Sequence, residues 1–173
     1  MAVPGSIIVV NGPSSSGKST LCRAAQVQLP RAFLFQTLDT YFFGDLLPRD
    51  QEGRVREWTS FRPRIVDGFF RSLKAFALSD VDVISELILE DASEVARLEQ
   101  EVDGLDVFWV GLHAPVEELE RRERERGNRT AGDARRDVET VHGFRSYDLD
   151  LDTTRGVAAN TAELVSAWTA TRA

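Results

Sequence analysis

Cysteine is almost missing from this chain of 173 residues: Cys22 stands alone, so no internal disulfide can form. Its place within an apolar helical pattern predicts a packed core thiol rather than a nucleophile. Histidine is nearly as scarce, with His113 and His142 alone, and no Cys/His metal cluster or catalytic Cys–His pair is readable from so few groups. Long apolar runs are absent as well. No stretch approaches the roughly 20 apolar residues of a membrane span, and the opening MAVPGSIIVVNG lacks a basic leader ahead of a long apolar run. The expectation is a cytoplasmic protein with no membrane partner. Positive charge is in deficit, with a formal net charge of -7. That argues against a general affinity for nucleic acid, whose phosphates are met by basic surfaces. Lysine is especially rare: Lys18 and Lys74 are the only two among 21 basic side chains, the others being arginine.

What is present suits one compact core, and the length predicts a single domain over residues 1–173 with no repeat, low-complexity tract or linker. Ser6 to Asn11 is a short β-branched run ending in Gly and Ser residues, the mark of a strand buried on both faces. From Lys18 to Leu29, Leu21, Cys22, Ala25 and Val27 recur at helical spacing until Pro30 stops them. Ala32 to Leu38 reads as a second strand, Arg64 to Leu78 as a helix, Val81 to Ile84 as a strand and Ser93 to Val102 as a helix. Leu105 to Leu112 is the clearest strand. Helices near Val116 to Arg126 and Ala134 to Val141, a strand at Tyr147 to Leu151 and a helix from Ala158 complete the order. Alternation of this kind predicts a three-layer α/β fold around a mostly parallel five-stranded sheet. Tyr41 to Pro63 mixes aromatic, Gly, Pro and charged residues without period and reads as a loop carrying function.

Gly12-Pro13-Ser14-Ser15-Ser16-Gly17-Lys18-Ser19 satisfies G-x-x-x-x-G-K-[ST], and it lies between a predicted strand and a predicted helix, as that phosphate loop must. The glycines let the loop wrap closely, so that backbone N–H groups from Ser14 to Gly17 face phosphate oxygens at a helix N-terminus. Lys18 supplies a compact point charge to the transferring phosphate and Ser19 a hydroxyl ligand for Mg²⁺, with Thr20 a lesser phosphate contact. One of two lysines in an arginine-rich chain falls at the position that needs an ammonium on a flexible stem. ATP and Mg²⁺ are the expected cofactors.

Binding alone does not separate kinases from switches, so the acceptor side rests on other residues. Asp39 lies just beyond the second predicted strand, at the carboxyl edge where ligands of open α/β sheets gather. There it serves either as a base for an acceptor hydroxyl or as a turn or N-cap carboxylate. Arg121, Arg122, Arg124, Arg126 and Arg129 form a dense cluster broken at Gly127-Asn128 and Ala131-Gly132. It suggests a short Arg-rich lid over about residues 124–135, with Arg126 and Arg129 flanking the hinge. Glu117, Glu118, Glu120, Glu123 and Glu125 offer helical partners, so Arg121, Arg122 and Arg124 read as a solvated face. Glu86 follows the third predicted strand, where an acid commonly sits near Mg²⁺ or substrate. Asp152-Thr153-Thr154 follows the last strand, beneath the expected base, although Asp152 serves equally as a helix cap.

These stretches together, VVNGPSSSGKS, Asp39-Thr40, GLDVFWVGL, ERGNRTAG with Val141 to Gly143, and YDLDLDTT, resemble the chloramphenicol phosphotransferase-like family of P-loop kinases over most of the chain. By that resemblance Asp39 is the general base, Lys18 and Ser19 serve phosphate and Mg²⁺, and Arg126 and Arg129 are the lid arginines. Arg64, Glu86 and Tyr41 fall on the substrate side. The chain departs from the pattern at Ser85-Glu86, where a pair of acids is usual, and through Tyr41 to Pro63. The rings of Tyr41, Phe42, Phe43, Trp58 and Phe61 suit an apolar acceptor pocket. The resemblance implies phosphorylation of a hydroxyl on an antibiotic-like molecule, as in resistance to chloramphenicol. A nucleoside, sugar or other metabolite kinase would use the same parts, and a nucleotide-dependent switch is the reading from another class, unsupported by any N-K-x-D motif. A homo-oligomer is compatible with the sequence.

Overall fold

The computed structural model describes residues 3–126 and 133–172. Strand β1 (Ile7–Asn11) leads through the phosphate-loop sequence into helix α1 (Lys18–Gln28), and β2 (Phe33–Thr37) leads into the short α2 (Asp39–Phe42). There follow α3 (Trp58–Leu78), β3 (Asp82–Leu87), α4 (Ala92–Glu101), β4 (Val107–His113), α5 (Val116–Arg126), α6 (Asp133–Thr140), β5 (Leu149–Asp152) and, after one 3₁₀ turn at Thr153–Arg155, α7 (Val157–Ala170). The strands form one sheet in the order β2-β3-β1-β4-β5, and every neighbouring pair is parallel.

The pleat explains the layers. Successive side chains of β1 point to opposite faces. Ile7 and Val9 pack with Val66, Phe69, Phe70 and Leu73 of α3 and Val95 and Leu98 of α4. Ile8 and Val10 pack with Leu21, Cys22 and Ala25 of α1 and Leu164 and Trp168 of α7. A strand buried on both faces needs apolar residues at consecutive positions, which is why this segment reads as an unbroken run. Cys22 is fully buried, and burial raises its thiol well above the ordinary range, as a packed and unreactive sulfur requires.

Two boundaries differ from the sequence expectation in ways that bear on the site. Helix α3 begins at Trp58 rather than Arg64, with Pro63 inside it. The Pro costs one hydrogen bond to the Thr59 carbonyl, which lies on an exposed stretch where water satisfies it, while Trp58 packs edge-on to Phe42 at 5.2 Å and holds the early turns in place. The expected loop, Tyr41 to Pro63, therefore contains the second half of α2 and the start of α3. Strand β3 extends to Leu87, which puts Glu86 within the strand rather than after it, because register with Val10 of β1 and Thr37 of β2 continues that far. Among the described residues, no helix is long and apolar enough to cross a membrane.

Phe70 is 1% exposed at the centre of one core, so Phe70→Ala is expected to lower stability by about 3–5 kcal/mol. A urea unfolding midpoint gives the value, and a loss below about 1 kcal/mol would contradict the packing described.

Candidate active site

The chain turns sharply after β1 because nothing but glycine fits there. A Cβ on Gly12 would stand 2.5 Å from the Leu112 carbonyl oxygen, and Gly17 sits at φ 94, in the left-handed region. Ser15 is also left-handed at φ 62, a conformation that stores of order 1 kcal/mol in a non-glycine residue and recurs at functional loops. The loop is anchored by Asn11, which is 1% exposed. Its Nδ2 donates to the Val141 carbonyl at 3.0 Å and to the Tyr147 hydroxyl at 2.8 Å, and its Oδ1 accepts from the Leu89 amide at 3.0 Å. His142 Nδ1 lies 2.9 Å from the same Tyr147 hydroxyl. Burial, and then His113 stacked beside it, hold the His142 imidazole down at about 4, so it is neutral at physiological pH.

Lys18 is 7% exposed, and its ammonium donates to the Gly12 carbonyl at 2.9 Å and the Pro13 carbonyl at 2.7 Å. Burial pushes its pKa down to about 8, against the opposing pull of Glu86, Asp137 and Asp39. Ser19 Oγ donates to the Glu86 carboxylate, with oxygens at 2.7 and 2.9 Å. The Ser14 amide donates at 2.9 Å to buried Asp137, which ties the loop to α6, and the Ser16 amide donates to the Pro13 carbonyl at 3.3 Å, so two of the four expected phosphate donors are engaged. The hydroxyls of Ser14, Ser15 and Ser16 are buried with no hydrogen-bond partner. Orphaned donors round a buried ammonium fit phosphate oxygens. No group of three or more His, Cys, Asp or Glu able to hold a metal occurs among the described residues. One hydroxyl with one carboxylate behind it nevertheless fits Mg²⁺, which keeps water and phosphate as its other ligands.

Two cavities meet at Ser15 and Gly17. One, of about 390 Å³, runs from Ser16 and Gly17 past Thr20, Leu21 and Leu112 to Thr153, Val157 and Asn160. Arg122 closes its side, with Nη1 on the Ser16 carbonyl at 3.2 Å and Nε on Glu118 at 2.7 Å. The other, of about 460 Å³, holds Lys18, Ser19, Asp39 and Glu86 and is walled by Phe42, Phe43, Trp58 and Arg62. Arg62 is itself paired with Glu90 at 3.0 Å and with buried Glu94 at 3.5 Å.

The expected site residues thus fall into groups. Gly12, Pro13, Ser14, Ser15, Ser16, Gly17, Lys18 and Ser19 form the loop, Thr20 stands at the first cavity, and Asp39 and Glu86 face the second. Arg64 is exposed on α3 and lines neither cavity; Arg62 does. Tyr41 packs edge-on to Phe69 at 6.1 Å, against a core. Arg129 and most of the expected lid lie outside the described residues, as does the side chain of Arg126. Asp152 caps the 3₁₀ turn by accepting from the Thr154 amide at 2.8 Å.

Comparison with known proteins fits this geometry. The profile of the family described as chloramphenicol phosphotransferase-like protein matches residues 5–169. The chain belongs to the chloramphenicol phosphotransferase-like family. A Mycobacterium tuberculosis relative named "Putative O-phosphotransferase" is 30% identical over 172 residues, covering 87% of this chain and 76% of the relative. The APS kinase of the same organism, solved with AMPPNP and APS, superposes with a TM-score of 0.73 at 18% identity, over 97% of this chain and 99% of that one. A gluconokinase from Sinorhizobium meliloti does so with a TM-score of 0.63 at 19% identity, over 96% and 93%. The fold is that of the P-loop kinases, and the chain is a phosphotransferase acting on a hydroxyl group.

This phosphotransferase also uses residues that its sequence did not mark. Arg122 reads as one more arginine on a solvated face, yet it reaches across to the phosphate loop. Asn11 carried a signal, a lone polar residue closing an apolar strand, since a buried amide must find partners. Arg62 and Asp137 carried none, because their roles depend on which helix faces the loop.

Two outcomes follow. A polyphosphate favours the Lys18 ammonium, so affinity is expected to fall as pH rises through about 8, approaching tenfold per unit. The unliganded chain should respond oppositely, because between that value and the ordinary 10.5 the unfolded state binds more protons and stability rises with pH. Calorimetric titration and unfolding from neutral pH upward check both, and a flat affinity would contradict the buried ammonium. Asn11→Val, which strips three bonds at the loop's root, is expected to cost about 2–4 kcal/mol in denaturant unfolding.

Proposed function

We propose that the chain moves the γ-phosphate of MgATP to a hydroxyl of a small, uncharged, ring-bearing acceptor of the antibiotic-like kind. The observation that carries the reading is the meeting of two cavities at Ser15 and Gly17 of one phosphate loop, with Lys18 and Asp39 together in the cavity on the acceptor side. In the transfer, Asp39 accepts the hydroxyl proton, a bond forms from that oxygen to the γ-phosphorus, and the bond to the β-phosphate oxygen breaks to release ADP. Lys18 and the loop amides hold the developing charge. Ser19, with Glu86 behind it, would hold Mg²⁺, which would supply charge neutralisation on the phosphates. The family resemblance adds Arg126 and Arg129 to this reading as its lid arginines.

Charge in the acceptor cavity supports the acceptor class. Arg62 is already neutralised by Glu90 and Glu94, and the other cation on that wall, Lys18, serves the nucleotide. Among the described lining residues a phosphorylated acceptor would meet Asp39, Glu86 and Glu90 with no further cation, whereas Phe42, Phe43 and Trp58 offer ring faces to an uncharged one. This favours an alcohol such as chloramphenicol, a nucleoside or a sugar over an acceptor bearing phosphate. The acidic balance and cavities of a size for a nucleotide and a small acceptor support a cytoplasmic small-molecule kinase.

With chloramphenicol and a panel of ring-bearing alcohols as acceptors, ADP release is expected to be acceptor-stimulated. Asp39→Asn should lower it by about 10²–10⁴-fold while MgATP binding is retained. Turnover indifferent to every alcohol would support a nucleotide switch instead, and full activity in the variant would reject Asp39 as the base.

A further inference from the structure

The acceptor cavity carries in its wall an arginine whose charge is already engaged. Arg62, on α3, stands with its guanidinium 5.9 Å from the centre of the Phe42 ring, and both residues line the cavity. Its Nη2 donates to Glu90 Oε1 at 3.0 Å, and its Nη1 lies 3.5 Å from Glu94 Oε1. Glu90 lines the same cavity. Glu94, on the first turn of α4, is buried and fixes the pair from behind. Its Oε2 accepts from the Glu90 amide at 3.0 Å, and its Oε1 is shared with Arg97 at 3.8 Å. Arg97 has a carboxylate of its own in Asp67 at 3.2 Å. Three carboxylates, Glu90, Glu94 and Asp67, thus face two guanidiniums, and of the three only Glu90 is among the described residues that line the cavity.

An ion pair as exposed as Arg62–Glu90 contributes little to folding. Its consequence lies in what the wall presents to a ligand. A guanidinium beside aromatic rings is a ready bidentate anchor for a carboxylate, sulfate or phosphate, and a carboxylate set against it both occupies its donors and repels such a group. Asp39 and Glu86 are acidic too, but they are set around Lys18, whereas Glu90 answers to Arg62. We infer that Glu90 is a specificity-determining residue of the acceptor site: by occupying Arg62 it excludes acceptors that carry an anionic group, and without it the same cavity binds such acceptors through Arg62. The inference rests on the proposed acceptor cavity and assigns the residue that sets its charge preference.

The test compares two ring-bearing alcohols of one size, para-(hydroxymethyl)benzamide and para-(hydroxymethyl)benzoate, by calorimetric titration of the whole chain near neutral pH. MgADP is present throughout, so that Lys18 faces phosphate in every arm. The wild type is expected to bind the neutral amide at least about tenfold tighter than the benzoate. Glu90→Ala should keep the melting temperature and bring the two affinities level or invert them, with the benzoate gaining about tenfold or more. Glu90→Gln, which removes the charge alone, should move the ratio the same way. Adding Arg62→Gln to Glu90→Ala should abolish the gain. A wild type that prefers the benzoate, a ratio unchanged in both Glu90 variants, or a gain that survives Arg62→Gln would overturn the inference while leaving the acceptor cavity in place. Binding of neither probe by the wild type or the Glu90 variants would overturn the acceptor cavity itself and the inference with it.

Discussion

A buried ammonium organises this molecule. Lys18 is held out of water at the end of the central strand, with two carbonyl oxygens as its direct partners and the charges of Glu86, Asp137 and Asp39 around it. Burial destabilises that charge, as its lowered pKa records, and a polyphosphate is the kind of group that would restore it. The same enclosure leaves three serine hydroxyls without partners. The loop is therefore a site whose electrostatics and hydrogen bonding suit an anionic ligand, and the left-handed Ser15 backbone lies within it.

The rest of the fold serves to hold this arrangement. A central strand covered on both faces cannot shift without disturbing two cores, so the loop that follows it has a fixed origin. Asn11 extends that rigidity past the last strand residue by joining β1 to the segments after β3 and α6. Arg122 and Asp137 then bring α5 and α6 onto the loop from the other side.

How much of this was legible depends on the range over which each feature is specified. The phosphate loop and the strand–helix order around it are local, written in spacing and in the alternation of apolar residues, and they read directly. Asp39 read correctly as an edge residue because the end of β2 fixes its place. The helix start at Trp58 did not, because Pro63 signals a boundary locally while contact with Phe42 decides it at a distance. Arg62 and Arg64 are equivalent in sequence, and only the facing of α3 separates a cavity wall from a solvated side chain. Arg122 looked solvated for the same reason: glutamates at helical spacing are present and one does pair with it, yet its other nitrogen is turned to the loop.

The most direct measurement is a crystal structure of the chain with magnesium and a non-hydrolysable ATP analogue. The account predicts the β- and γ-phosphates within the loop, Lys18 Nζ in hydrogen-bond contact with their oxygens, and Ser19 Oγ turned from Glu86 to the metal. An analogue bound elsewhere, with Lys18 still directed only at the Gly12 and Pro13 carbonyls, would contradict it.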